Sequence, residues 1–182
     1  MILVMGDSLS AGYGLDPQQG WIFLLQQKIR SQGLPHVVVN ASVSGETTAG
    51  GLARLPAALD RNRPKIVLVE LGGNDGLRGQ PAQALRTNLE RMVDLTRKAG
   101  AVPVLFEMRI PENYGPAYAN SFHGTFAAVA QERKVALVPF LLAEIALEPD
   151  RWFQDDGIHP NAAAQPRLVE AVWPTLQPLL TH

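Results

Sequence analysis

Ile2-Leu3-Val4-Met5-Gly6-Asp7-Ser8-Leu9-Ser10 opens with an apolar run and stops at a glycine, an acid and a serine. Consecutive large apolar residues without polar alternation predict a short strand covered on both faces, here residues 2–5. Gly6 permits a tight exit, so Asp7 and Ser8 stand on the sharp turn that leaves a buried strand. The same pattern recurs at residues 37–39, 66–71, 102–108 and 136–138, which read as four more strands.

The segments between them have helical period. Residues 21–31 carry apolar side chains at Trp21, Leu24, Leu25 and Ile29, and residues 82–99 at Leu85, Leu89, Met92 and Val93. Residues 117–133 repeat the pattern with Tyr118, Phe122, Phe126 and Val129. Each therefore has one face for a sheet. Gly33 and Gly100 fall where helices want C-terminal caps. Residues 162–180 form a last helix, with Pro166 near its start and Pro174 and Pro178 expected to kink or end it. Strand and helix alternating over short connections predict an α/β protein, a three-layer α/β/α sandwich around a parallel sheet of about five strands. Ligands bind such sheets beyond the carboxyl ends of the strands. No repeat, linker or low-complexity stretch divides residues 1–182, which read as a single domain.

Composition narrows the classes. The chain has 182 residues, 46% hydrophobic and 18% charged, as a globular domain with a sizeable core should. A net charge of −1 offers no attraction to nucleic acid or an anionic membrane. Without cysteine there is no disulfide, thiolate metal site or cysteine nucleophile, which fits either redox compartment. No apolar run spans a bilayer, so stable membrane insertion is not expected. Met1 leads directly into the first strand with no visible signal peptide, and a clipped mature form with an added methionine would look the same.

Three strand exits carry unusual residues: Gly6-Asp7-Ser8, then Asn40-Ala41-Ser42-Val43-Ser44-Gly45-Glu46-Thr47, then Gly72-Gly73-Asn74-Asp75. All three open on one edge of a parallel sheet. Gly45 N–H, the Asn74 amide and Ser8 N–H are donors of the kind that stabilise an oxyanion. Each alone reads as turn chemistry, since Gly and Asn dominate turns; as a set on one edge they point to function. Ser8 could be a helix cap, and Ser10, Ser42 and Ser44 are rival nucleophiles by type. Only Ser8 sits at the strand exit, although the G-x-S-x-G elbow is absent. Asp7 lacks the companion carboxylates of a cation-assisted nucleophile, so a cap or turn role is expected.

Asp156 and His159 lie three apart before Pro160, a spacing that lets one carboxylate reach the same imidazole. The acid would accept from one ring nitrogen and leave the other to take a serine proton. The bland alternative is an Asx turn beside a surface histidine. Asp155 is the neighbouring candidate acid, with less favourable spacing. A metal pair is a third possibility, but His36, His123 and His182 form no ligand cluster with it.

Gly6-Asp7-Ser8-Leu9, Gly45, Gly72-Gly73-Asn74-Asp75 and Asp156-Gly157-Ile158-His159 resemble, in order, the four motif blocks of the SGNH (GDSL) hydrolase superfamily. Residues 1–13, 40–55, 69–79, 109–114 and 154–165 are similar to its bacterial arylesterase, acyl-CoA thioesterase I and lysophospholipase L1 group. The resemblance implies a flavodoxin-like sandwich, no cofactor, a nucleophile at Ser8, a base at His159 and an orienting acid at Asp156. Its oxyanion donors would be Ser8, Gly45 and Asn74. It also implies a mobile, lid-like substrate-binding segment over residues 75–81, with Asp75, Gly76, Leu77, Arg78 and Gly79, and a crevice border at Arg109, Ile110, Pro111 and Tyr114. Glu46 departs from a commoner aspartate and keeps the charge. Export to the periplasm or secretion is implied as well, with a cytoplasmic site as the alternative.

The expectation is a serine esterase that cleaves esters and thioesters of small acyl substrates: aryl esters, acyl-CoA and lysophospholipids. A carbohydrate acetylesterase is the near alternative. A non-catalytic small-ligand-binding α/β domain is the distant one, though no phosphate-binding glycine motif supports it. With no apolar stripe left over once the helices cover the sheet, a monomer is expected.

Overall fold

The computed structural model describes residues 1–181. Five strands form one parallel sheet: β1 (Ile2–Gly6), β2 (Val38–Asn40), β3 (Ile66–Glu70), β4 (Val102–Phe106) and β5 (Ala136–Val138). Their order is β2-β1-β3-β4-β5, the doubly wound flavodoxin-like arrangement. Every residue of β1 and β3 is buried, because helices cover both faces of the sheet. α2 (Trp21–Ser31) and α8 (Gln165–Leu180) pack on each other, as do α3 (Thr48–Asn62), α5 (Ala82–Lys98) and α6 (Pro116–Arg133) in turn. The α/β/α architecture expected from the sequence is the one observed.

Two helices differ from the sequence reading. No helix was expected over residues 48–62, where Gly50, Gly51 and Pro56 disfavour one, yet α3 runs through all three. Its buried Leu52, Leu55 and Leu59 bind it to the core. A side chain at position 51 would place Cβ 2.3 Å from Leu71 Cδ1, so glycine is what lets α3 approach the end of β3. Pro174 and Pro178 do not end α8, which continues through both to Leu180. Both prolines are exposed, where water can take the carbonyls they release. Leu168, Val172, Trp173, Leu176 and Leu180 bury the opposite face, and that burial outweighs the roughly 3 kcal/mol cost of an interior proline. Gly33 and Gly100 do follow the last turns of α2 and α5 with left-handed backbone.

The order places β1 beside β3 at the point where the chain's winding reverses. The turns leaving those two strands therefore open into one crevice.

Candidate active site

The β1 exit is a helix start built on Asp7. Asp7 caps the short helix α1 (Ser8–Ala11), its Oδ1 accepting from Leu9 N–H at 3.0 Å. This is the cap role expected of it, and it leaves Ser8 at the first helical position with its hydroxyl free for other partners. Ser10 is buried and donates to Glu70 Oε2 at 2.5 Å, so its hydroxyl is occupied. A Cβ on Gly6 would come within 2.7 Å of that same carboxyl and of Ser10, which is why the strand must end in glycine.

The loop before α8 is folded around Asp156. Its Oδ1 accepts the N–H groups of Ile158 and His159, both at 2.9 Å, while Oδ2 lies 2.6 Å from His159 Nδ1. The loop is an Asx turn and an acid–imidazole pair at once. Those N–H groups and the imidazole hold the Asp156 carboxyl down at about 2, so it is ionised at neutral pH. Gln154 N–H to His159 O, 2.8 Å, and a bridge from Phe153 to Pro160 close the loop. His159 Nε2 then lies 2.9 Å from Ser8 Oγ, across 151 positions of sequence. A carboxylate on Nδ1 fixes the tautomer with its proton there, leaving Nε2 to accept the serine hydroxyl.

Asn74 lies in α4 (Gly73–Leu77), directly after β3. Its Nδ2 donates to Glu46 O at 3.0 Å and Asp7 Oδ2 at 3.2 Å, which brings the second and third strand exits onto the first. Gly45 has left-handed backbone, and its carbonyl accepts from Arg78 Nη2 at 3.0 Å. Among the described residues neither Ser8 N–H nor Gly45 N–H donates to a protein acceptor.

A crevice of about 730 Å³ opens beside these groups. Ser8, Asn74 and His159 line it together with Leu77, Arg109, Ile110, Pro111 and Tyr114. Asp75, Gly76, Arg78 and Gly79, expected at the substrate, do not line it. Asp75 is buried and accepts from Thr48 N–H at 2.8 Å and Thr48 Oγ1 at 2.5 Å, clamping the start of α3 to α4. A Cβ on Gly76 would meet Ile110 and Phe122, so its absence serves core packing. Tyr118 Oη donates to Gln80 O at 2.6 Å, pinning the rest of the segment. The sequence reading missed Phe140, Leu142 and Phe153, which also line the crevice. Their signal was available, since Phe140 and Leu142 follow β5 at the same sheet edge.

Two buried carboxyls, Asp7 and Glu70, lie at the turn that carries Ser8. Burial, with the neighbouring Asp7 charge, pushes Glu70 well above the usual carboxylate range. Burial also raises Asp7 from 3.8 to about 6, against the lowering effect of the Leu9 N–H bond. A carboxyl raised on folding contributes most stability while protonated and loses it as pH rises from its unfolded to its folded pKa. Asp7→Asn, which keeps the capping oxygen, should therefore be more stable than wild type above about pH 6. The gain is at most about 3 kcal/mol, reduced by the lost acceptor for Asn74 Nδ2, and thermal melts should show it fading toward pH 4. An equal difference at pH 4 and pH 8 would contradict a titrating Asp7.

The profile of the GDSL-like Lipase/Acylhydrolase family matches residues 4–166. Esterase TesA of Pseudomonas aeruginosa is 52% identical over 98% of this chain and 89% of its own length. Thioesterase 1/protease 1/lysophospholipase L1 of Escherichia coli is 46% identical over all of this chain and 85% of its own. The crystal structure of TesA superposes with a TM-score of 0.94 at 52% identity, covering 98% of this chain and 99% of that one.

Proposed function

This chain belongs to the GDSL-like lipase/acylhydrolase family and is a hydrolase of ester bonds; we propose that it acts through Ser8, His159 and Asp156 on esters and thioesters with an extended acyl chain. The observation that carries this reading is the unbroken contact from Asp156 Oδ2 through the imidazole to Ser8 Oγ, 2.6 and 2.9 Å. A serine hydroxyl is a weak nucleophile until a base takes its proton as it attacks.

Ser8 Oγ attacks the acyl carbon while His159 Nε2 takes its proton, and Asp156 stabilises the imidazolium that forms. The carbonyl oxygen becomes an oxyanion held by Ser8 N–H, Gly45 N–H and Asn74 Nδ2, the amide exchanging one of its resting partners for it. Collapse expels an alkoxide or thiolate, which leaves with the proton from His159. Water, activated by the same imidazole, then hydrolyses the acyl-enzyme. No step calls for a cofactor.

The apolar walls at Leu77, Ile110, Pro111, Phe140 and Phe153 favour an acyl chain over a sugar. Hydrolysis of p-nitrophenyl esters should rise from acetyl to medium chains, with acetyl-xylan a poor substrate. A serine-directed fluorophosphonate should label Ser8 alone. Flat rates across acyl length would remove the crevice from the reading, and absent labelling would favour a binding domain. Among the described residues no helix is long and apolar enough to cross a membrane. The chain is read as one domain, a monomer, working in the periplasm or outside the cell.

A further inference from the structure

One aromatic side chain belongs to none of the roles above. Tyr13 is 52% exposed, so it is not a core residue, yet its ring lies 4.4 Å from the His159 ring at an interplanar angle of 34°. Its backbone is held at both ends. Tyr13 N–H donates to the carbonyl of Ser8 at 3.1 Å, and its own carbonyl accepts from Gln154 Nε2 at 2.8 Å. Gln154 Nε2 also donates to the carbonyl of Pro160, beside His159, at 3.1 Å. The residue thus bridges the turn that carries Ser8 and the loop that carries Asp156 and His159. Gly12 and Gly14 on either side both have left-handed backbone, and a Cβ at position 14 would sit 2.2 Å from Gln154 Oε1. The chain turns back on itself at both glycines and presents the one ring between them to the imidazole.

We propose that Tyr13 is a positioning residue whose ring face holds the His159 imidazole and stabilises it when it becomes charged. This rests on the reading of His159 as the base. To act as the base the imidazole must start without the extra proton, and in that form it gains little from an aromatic face. Once it has taken the Ser8 proton it is a cation within about 6 Å of the ring centroid, where the ring quadrupole attracts it. The attraction grows as the charge grows, so it lowers the barrier and not the substrate complex. Asp156 already faces Nδ1, and the Asp7 carboxyl lies on the nucleophile turn. Tyr13 covers the ring plane, which neither carboxylate reaches. Among the described residues the hydrogen bonds of Tyr13 run through its backbone and not its hydroxyl, so the ring and not the phenol is what the site uses.

The test keeps the size of the side chain and changes only its face. Tyr13 is replaced by phenylalanine and then by phenylalanines carrying progressively more ring fluorines, each of which weakens the face potential. Tyr13→Leu and Ser8→Ala are measured beside them. Tyr13→Phe should keep most of the wild-type kcat. Along the fluorinated series kcat should fall stepwise, by about two- to tenfold in all, with KM nearly constant, and Tyr13→Leu should match the end of the series. A flat series, a change confined to KM, or a loss already present in Tyr13→Phe would overturn the proposal. Activity surviving in Ser8→Ala would instead overturn the reading on which it rests.

Discussion

Ser8→Ala should remove ester hydrolysis almost completely, with kcat about 10⁶-fold below wild type. The substitution deletes the hydroxyl that, among the described residues, lies within hydrogen-bond reach of His159 Nε2, at 2.9 Å. The neighbouring Ser10 cannot substitute for it, because its hydroxyl is buried and bonded to Glu70. Ser44 is exposed, and Ser42 Oγ is buried with no partner among the described residues, so neither has a base. The fold should be unchanged, since Asp7 caps α1 with its own side chain and not through Ser8. The expected result is a cooperative melt like that of wild type, p-nitrophenyl ester turnover at background, and no fluorophosphonate label. Turnover within a hundredfold of wild type in the purified variant would dismiss Ser8 as the nucleophile.

Asp156→Asn should cost about 10⁴ in kcat while sparing the loop. The asparagine retains an Oδ1 to accept from the Ile158 and His159 N–H groups, both at 2.9 Å in wild type. What it changes is the atom facing His159 Nδ1, from a carboxylate oxygen to an N–H donor. The imidazole then places its proton on Nε2, where it meets Ser8 Oγ and can no longer accept. Substrate binding in the crevice is untouched, so KM should move little. Asp155→Asn is the matched comparison and should stay near wild type, because of these two acids it is Asp156 whose carboxylate contacts the imidazole. Should Asp155→Asn prove the more damaging change, the orienting acid has been misassigned.

The two variants depend on different kinds of information. The Asp156–His159 pair is local: three positions apart in a tight turn, the carboxylate reaches both the backbone N–H and the ring whatever the rest of the chain does. Spacing alone therefore predicts it. The strands are equally readable, since the parallel sheet buries both faces and writes itself as unbroken apolar runs, and only the strand ends moved by a residue or two. α3 was not readable, because Gly50, Gly51 and Pro56 are poor helix formers on their own. What selects a helix there is contact with Leu71 and the core, a tertiary effect that overrides local propensity. The same holds for α8, where the apolar face is stronger than two prolines.

Asp75 shows the limit from the other side. It sits beside Asn74 in a motif that points to function, but its carboxylate turns inward onto Thr48 and joins the elements that carry Gly45 and Asn74. A motif names residue types and cannot say which side of a turn each faces.

The residues taken alone therefore determine that the chain is an α/β sandwich, where its strands leave the sheet, and which acid serves which histidine, because these follow from hydrophobic period and from contacts a few positions long. The β2-β1-β3-β4-β5 order decided the rest: that Ser8 and not Ser10 meets His159, that Asp75 is a clamp, and that Tyr13 lies over the imidazole. Those contacts join positions up to 151 residues apart, and only the packing of helices on a sheet of this strand order brings such distant groups within reach of one another.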